Sequence, residues 1–191
     1  MDHDSDEDAF NQLFIWPYLH LIRKSLKVHG CEGYFVQGES FLDSMTQQLK
    51  ATGLYSDERS RYKTDGLIKL FGLKKLELLL LETSGHFSND DNVKITLDHH
   101  KGMYGILAML KCIAYEFPFA SIEKFSHAKV FFLHAADTRL NLWSVRFQSE
   151  GVFDLWRESC LEILPLFKDR VSYLPLLIEF CWNTKVISVL E

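Results

Sequence analysis

Asp65, Glu82 and Lys63 are the residues of this chain whose types and spacing could do chemistry. They bracket two apolar runs, 64–71 and 76–83, joined by Gly72-Leu73-Lys74-Lys75. Two apolar runs around a four-residue connector predict a β-hairpin. Pairing Phe71 with Leu76 across that connector sets Asp65 opposite Glu82 and Lys63 opposite Ser84. Directly opposed residues of antiparallel strands have Cβ atoms roughly 4.5–5.5 Å apart. Two carboxylates held that close on a buried face repel each other, so one keeps a proton or both share a cation. Mg²⁺ and similar hard cations take carboxylate and carbonyl oxygens together. The expected chemistry is therefore metal-assisted. The alternatives are a pair of acids solvated at the sheet rim, or a register slipped by one residue, which would send them to opposite faces.

The elements that must position these residues follow from periodicity. Leu19, Ile22 and Leu26 recur at helical spacing and predict a helix within 10–28; Gly30, Gly33 and Gly38 predict a loop after it. Phe41, Leu42, Met45 and Leu49 predict a second helix over 39–51, ended by Gly53. The hairpin is apolar on both faces, with Leu67, Phe71, Leu76, Leu78 and Leu80 on one and Ile68, Leu70, Leu79 and Leu81 on the other. Such a hairpin belongs inside a sheet with layers above and below. A long helix is expected over 94–117, with Met103, Ile106, Leu107, Leu110, Ile113 and Phe117 as its stripe. Gly102 and Gly105 on that helix predict close approach to another layer. Strands follow at 128–134, 139–147 and 152–160, then a helix at 169–186 packing through Leu174, Leu177, Ile178, Cys181 and Trp182. The expected architecture is a single α/β domain over 10–191: a mixed central sheet flanked by helices, ending in a β-meander and a helix.

The order of helix, Asp at a strand start, Glu near the end of the next antiparallel strand, then a long helix resembles the core of the PD-(D/E)XK nuclease superfamily. The segments YKTDG, LLLLETSG and DHHKGMYGILAML also resemble uncharacterised proteins of early-diverging, mucoralean fungi associated with that core. The resemblance spans about 39–134 and implies a restriction-endonuclease-like core. It implies that Asp65 and Glu82 bind Mg²⁺ or Mn²⁺, that the Thr83 carbonyl is a further ligand, and that Glu39 is the extra acid some members use. It also implies a lysine that orients the attacking water. The chain departs from the pattern at Ser84, where the family has Lys. Lys63, by the derived register, and Lys101, on the following helix, are the candidates to replace it. The implied activity is hydrolysis of phosphodiester bonds in DNA or RNA. The rival reading is a catalytically inactive interaction or effector module that keeps the fold and binds a protein partner.

Composition bounds the remaining possibilities. The chain has 191 residues, 47 % hydrophobic and 25 % charged, enough for one cored domain and unlike a disordered polymer. The net charge of −5 arises in an acidic tail over 1–9, where Asp2, Asp4, Asp6, Glu7 and Asp8 cluster. Around the hairpin, Arg59, Arg61, Lys63, Lys69, Lys74 and Lys75 outnumber the acids, and such a patch can meet phosphates. A solvated strand edge would look the same. Cys31, Cys112, Cys160 and Cys181 stand apart with no metal-ribbon spacing, and no signal peptide or membrane-spanning run is evident. These features predict an intracellular protein without a membrane partner. Asp98-His99-His100 is not a metal motif, since adjacent helical residues point about 100° apart. His86 could reach the site from its loop, whereas His134 reads as structural. The aromatics of 128–156 read as core. No glycine-rich phosphate loop or nucleophile elbow is present.

Overall fold

The computed structural model describes residues 7–25, 27–28, 31–55, 57–72 and 76–189. A helical entry segment comprises α1 (Glu7–Phe10), a π-helical stretch Asn11–Ile15, and α2 (Trp16–Ser25). There follow β1 (Lys27–Val28), β2 (Cys31–Phe41), α3 (Asp43–Ala51), β3 (Lys63–Phe71) and β4 (Leu76–Thr83). After these come α4 (Asn92–Glu116), α5 (Ile122–Ser126), β5 (Lys129–Ala136), β6 (Arg139–Ser149), β7 (Val152–Glu162) and α6 (Arg170–Val189). The seven strands lie side by side in sequence order. Every neighbouring pair is antiparallel except β4 and β5, which run parallel. A parallel pair needs a crossover, and α4 supplies it.

The hairpin is buried on both faces, as its sequence predicts. On one face Ile68, Leu79, Leu81, Phe131 and Leu133 pack with Phe10, Ile15, Leu19 and Ile22 of the entry segment and Phe180 of α6. On the other, Leu67, Leu80, Val130 and Phe132 pack with Leu42 and with Ile106, Met109 and Leu110 of α4. The domain is thus three layers, helices on both sides of a mixed sheet. The two α4 glycines make the close approach expected of them. A Cβ on Gly102 would lie 2.1 Å from the Phe132 ring, and one on Gly105 2.5 Å from Leu80.

Several expectations fail, each for a physical reason. The stretch 31–38 is not a loop, and Glu39 does not open a helix; both belong to β2, and α3 starts only at Asp43, while Gly30 lies outside the described residues. Pairing with β3 overrides the weak local signal: Gly33 pairs with Leu70, and Gly38, with φ +79°, is absorbed by a bulge between Gln37 and Ser40. The acidic tail is folded from Glu7 onward, with Phe10 buried; residues 1–6 lie outside the described set. Phe71 does not pair with Leu76. Leu70 does, and a bulge between Ile68 and Lys69 then brings Ile68 opposite Leu79 and Gly66 opposite Leu81. The longer turn and the bulge cancel, so the expected register survives only at the end that carries the acids. The bulge also puts Leu78 against the same core cluster as Leu79 instead of alternating with it. On α6 the packed residues are Tyr173, Leu177, Phe180, Cys181 and Thr184, so Leu177 and Cys181 pack as expected, while Leu174, Ile178 and Trp182 are exposed. Phe131 and Phe132 are core as expected, but Phe153 and Trp156 of β7 are exposed.

Candidate functional site

The acids occupy one end of the sheet, where β3 begins and the parallel strands β4 and β5 end. In open α/β sheets the carboxyl ends of parallel strands are where ligands gather. Strand alternation sends Asp65 to the same face as Leu67, and Glu82 to the same face as Leu80, both beneath α4. Asp65 accepts the Thr83 backbone N–H at Oδ2 (2.7 Å), and its own carbonyl accepts the Trp16 indole N–H at 3.2 Å. Glu82 is 1 % exposed. Its Oε1 accepts the Tyr62 hydroxyl at 3.1 Å, and its Oε2 accepts the Lys101 ammonium at 2.5 Å. Lys101 also lies 5.0 Å from the centre of the Tyr62 ring.

A second ammonium, Lys94, stands two turns earlier on α4. It reaches the Thr83 carbonyl at 3.4 Å, Asp98 Oδ2 at 3.1 Å and Glu7 Oε2 at 3.2 Å. Lys94, Asp98 and Lys101 sit at i, i+4 and i+7, one helical face. That polar stripe is visible in the sequence, but no motif singles out Lys94, and Asp98 stands out there only beside His99 and His100. Asp91 caps α4, accepting from the amides of Val93 and Lys94, and so fixes the helix start and the phase of that face. Tyr62 and Glu7 also belong to this constellation, and neither carries a motif that would single it out.

Burial decides the protonation behaviour. It pushes Glu82 up to about 8; the Asp65 charge adds to the shift, while Lys101 and Tyr62 oppose it. Burial likewise raises Asp65 to about 6 against the Thr83 amide, which favours its ionised form. Burial and the neighbouring Glu82 raise the Tyr62 phenol. Adjacent to the acids, Ser84 and His134 share a buried 2.9 Å hydrogen bond. His134 lies beside Glu82 in the parallel register, and burial lowers it to about 4.

The sequence-derived candidates divide. Asp65, Glu82, the Thr83 carbonyl and Lys101 come together. Lys63 and Glu39 do not join the carboxylates: they pair with each other at 2.6 Å on exposed side chains at the rim. Lys63 holds Glu39 below the usual carboxylate range. The reason is topological, since Glu39 lies on β2, where Lys63 pairs with Phe41 two residues away. His86 points to the Phe87 carbonyl and lines a separate groove with Phe10 and Phe14. The His99 and His134 rings lie 5.5 Å apart, but His100 turns to the Thr96 carbonyl.

No family model, curated protein or solved structure matches this chain. Among the described residues no helix is long and apolar enough to cross a membrane.

Proposed function

We propose that this domain is a metal-dependent phosphodiester hydrolase of the PD-(D/E)XK type, acting inside the cell on DNA or RNA. The observation that carries the reading is the convergence of Asp65 and Glu82 under α4 with Lys101, an ammonium delivered from the helix where the strand position holds Ser84. The candidate ligands Asp65, Glu82 and the Thr83 carbonyl are all oxygen donors, which suits Mg²⁺ or Mn²⁺. Among the described residues no three His, Cys, Asp or Glu side chains form a metal-binding group. A cation held by Asp65, Glu82 and the Thr83 carbonyl would therefore keep much of its shell as water and substrate, as Mg²⁺ commonly does. When bound it would supply an activated water and charge stabilisation at the phosphate.

The chain's own residues have defined parts in that scheme. Ionised Asp65 and Glu82 provide the negative charge, and Tyr62 orients Glu82 through its hydroxyl. Lys101 leaves Glu82 and turns toward the attacking oxygen or the phosphate; Lys94 offers a second positive group at the Thr83 carbonyl. Glu82 must lose its proton for this, so activity should rise with pH toward about 8.

A second reading, the inactive module, has its own support. Both Glu82 oxygens already have donors in Tyr62 and Lys101, so the buried acid is satisfied without a cation. Cleavage of plasmid, single-stranded DNA and RNA in Mn²⁺ and Mg²⁺ separates the two. Metal-dependent cutting that is lost in Glu82→Ala and falls at least roughly a hundredfold in Lys101→Ala supports the hydrolase. No cutting, or cutting that survives Glu82→Ala, rejects it in favour of the module.

A further inference from the structure

The most apolar helix of the domain, α6, has two apolar faces, and the sheet uses only one. Tyr173, Leu177, Phe180 and Thr184 turn inward. At about 100° per residue, Val171, Leu174, Pro175 and Ile178 form a stripe on the opposite side. Val171 is 76 % exposed, Leu174 54 % and Ile178 58 %. A globular surface helix normally turns a polar face outward there. Beside this stripe, α2 and α6 enclose a groove of about 390 Å³ lined by Tyr18, Leu21, Ile22, Leu174, Ile178 and Cys181, among others. A larger depression of about 930 Å³ continues it along α6 past Val171 and Pro175.

We propose that this α2–α6 face is the two-fold interface of a homodimer. Three features select a second copy as the occupant. A two-fold contact demands that one patch carry both ridge and groove, and here the α6 stripe and the α2–α6 groove lie side by side. The charged residues that line the larger depression, Arg170 and Glu179, are of opposite sign, so two copies can meet without like charges opposed. The area also suits. At ordinary side-chain sizes the exposed parts of Leu21, Val171, Leu174, Ile178 and Trp182 amount to on the order of 500 Å². A standard interface takes ~800 Å² from each partner, and in homodimers about 65 % of it is apolar. With the two α6 helices antiparallel, Leu174 of each copy meets Ile178 of the other and Pro175 lies near the axis. An anionic membrane surface is the poorer occupant, because interfacial helices bring several lysines and arginines beside their apolar face, whereas the lining here sets one arginine, Arg170, against one glutamate, Glu179.

The test is sedimentation equilibrium of the full chain at micromolar concentration, and cleavage plays no part in its readout. The expected result is a dimer whose dissociation constant rises at least roughly tenfold in Ile178→Glu. Ile178 is exposed in the single copy, so the variant should melt as cooperatively as the parent. Leu174→Gln serves as a second probe of the same face. Tyr104→Glu, on an apolar groove over the other helix layer, should leave the dimer intact. A monomer at every concentration overturns the proposal, including one that instead binds phosphatidylserine-containing vesicles. So does a dimer that survives both α6 substitutions or is lost in Tyr104→Glu.

Discussion

Strand β4 carries two buried glutamates, Glu77 and Glu82, five residues apart and both turned toward the α3–α4 layer. Glu77 is embedded in donors. Its Oε1 accepts the Asp43 amide at 2.9 Å and its Oε2 the Ser44 amide at 3.0 Å; the Ser44 hydroxyl also donates to Oε2, and Lys69 closes at 3.2 Å. It sits where the first turn of α3 presents unsatisfied N–H groups and the positive end of the helix dipole. Leu42, the residue preceding α3, provides no side-chain cap, so Glu77 performs that task from another strand. Among the described residues the donors to Glu82 are a phenol and an ammonium, the latter on a side chain 36 % exposed, with no backbone amide. The same residue type on the same strand is thus an anchor at one end and a proton-retaining group at the other. Fixed amide donors stabilise a buried anion permanently, whereas mobile side-chain donors leave it able to exchange partners. That exchange is what a cation- or substrate-binding site requires.

The contrast can be broken most sharply at Glu77. Glu77→Ala strands the first α3 amides and removes a charge partner of Lys69, and should cost about 3–5 kcal/mol in urea unfolding. A smaller loss than that of Glu82→Ala would reverse the assignment of anchor and functional group.

The next effect concerns pH. Glu82 and Asp65 have folded pKa values above their unfolded ones, so the folded state binds the extra proton and stability falls as pH rises through each window. His134 has the opposite sign: held neutral at about 4, it loses stability as pH drops below its unfolded value near 6.5. Between pH 6.5 and 8 Glu82 alone of the three is titrating. Thermal melts across that window should show stability falling by roughly 2 kcal/mol, and Glu82→Gln should flatten the slope. A slope unchanged in the variant would place the titration elsewhere.

Gly102→Ala sharpens the comparison by distance. Its Cβ would run into the Phe132 ring, forcing α4 outward beside Lys101. A cost of about 2 kcal/mol is expected, with the pH slope of the Glu82 end altered. No change in either would mean that α4 has room to spare. The smallest effect should come from Asp98→Ala, which removes one partner of Lys94 in an i,i+4 pair. Stability should move by about 0.5 kcal/mol or less, and a loss several times larger would make Asp98 part of the buried network.

Legibility in the sequence followed the strength of local signals. The hairpin, α4 and the last three strands were readable because long periodic runs and tight turns dominate their neighbourhoods. Strand β2 was not: its glycines and Glu39 look like a loop and a helix start, and only pairing with β3 makes it a strand. At the site, Asp65, Glu82, Thr83 and Lys101 were legible from spacing and resemblance. Lys63 and Glu39 were misplaced because their positions depend on β2. Glu77, the molecule's best-satisfied buried acid, was hidden in a leucine run.

What the sequence determined by itself was the layering, since a hairpin apolar on both faces must be covered twice, and the coincidence of two acids at one of its ends. What only the tertiary structure decided was the surroundings of each charge. Which amides, phenol and ammonium reach Glu77 and Glu82 depends on a bulge at Leu78, on the start of α3 and on the phase of α4 over the sheet. Contacts between residues distant in the chain set those three features, and a local pattern carries no record of them.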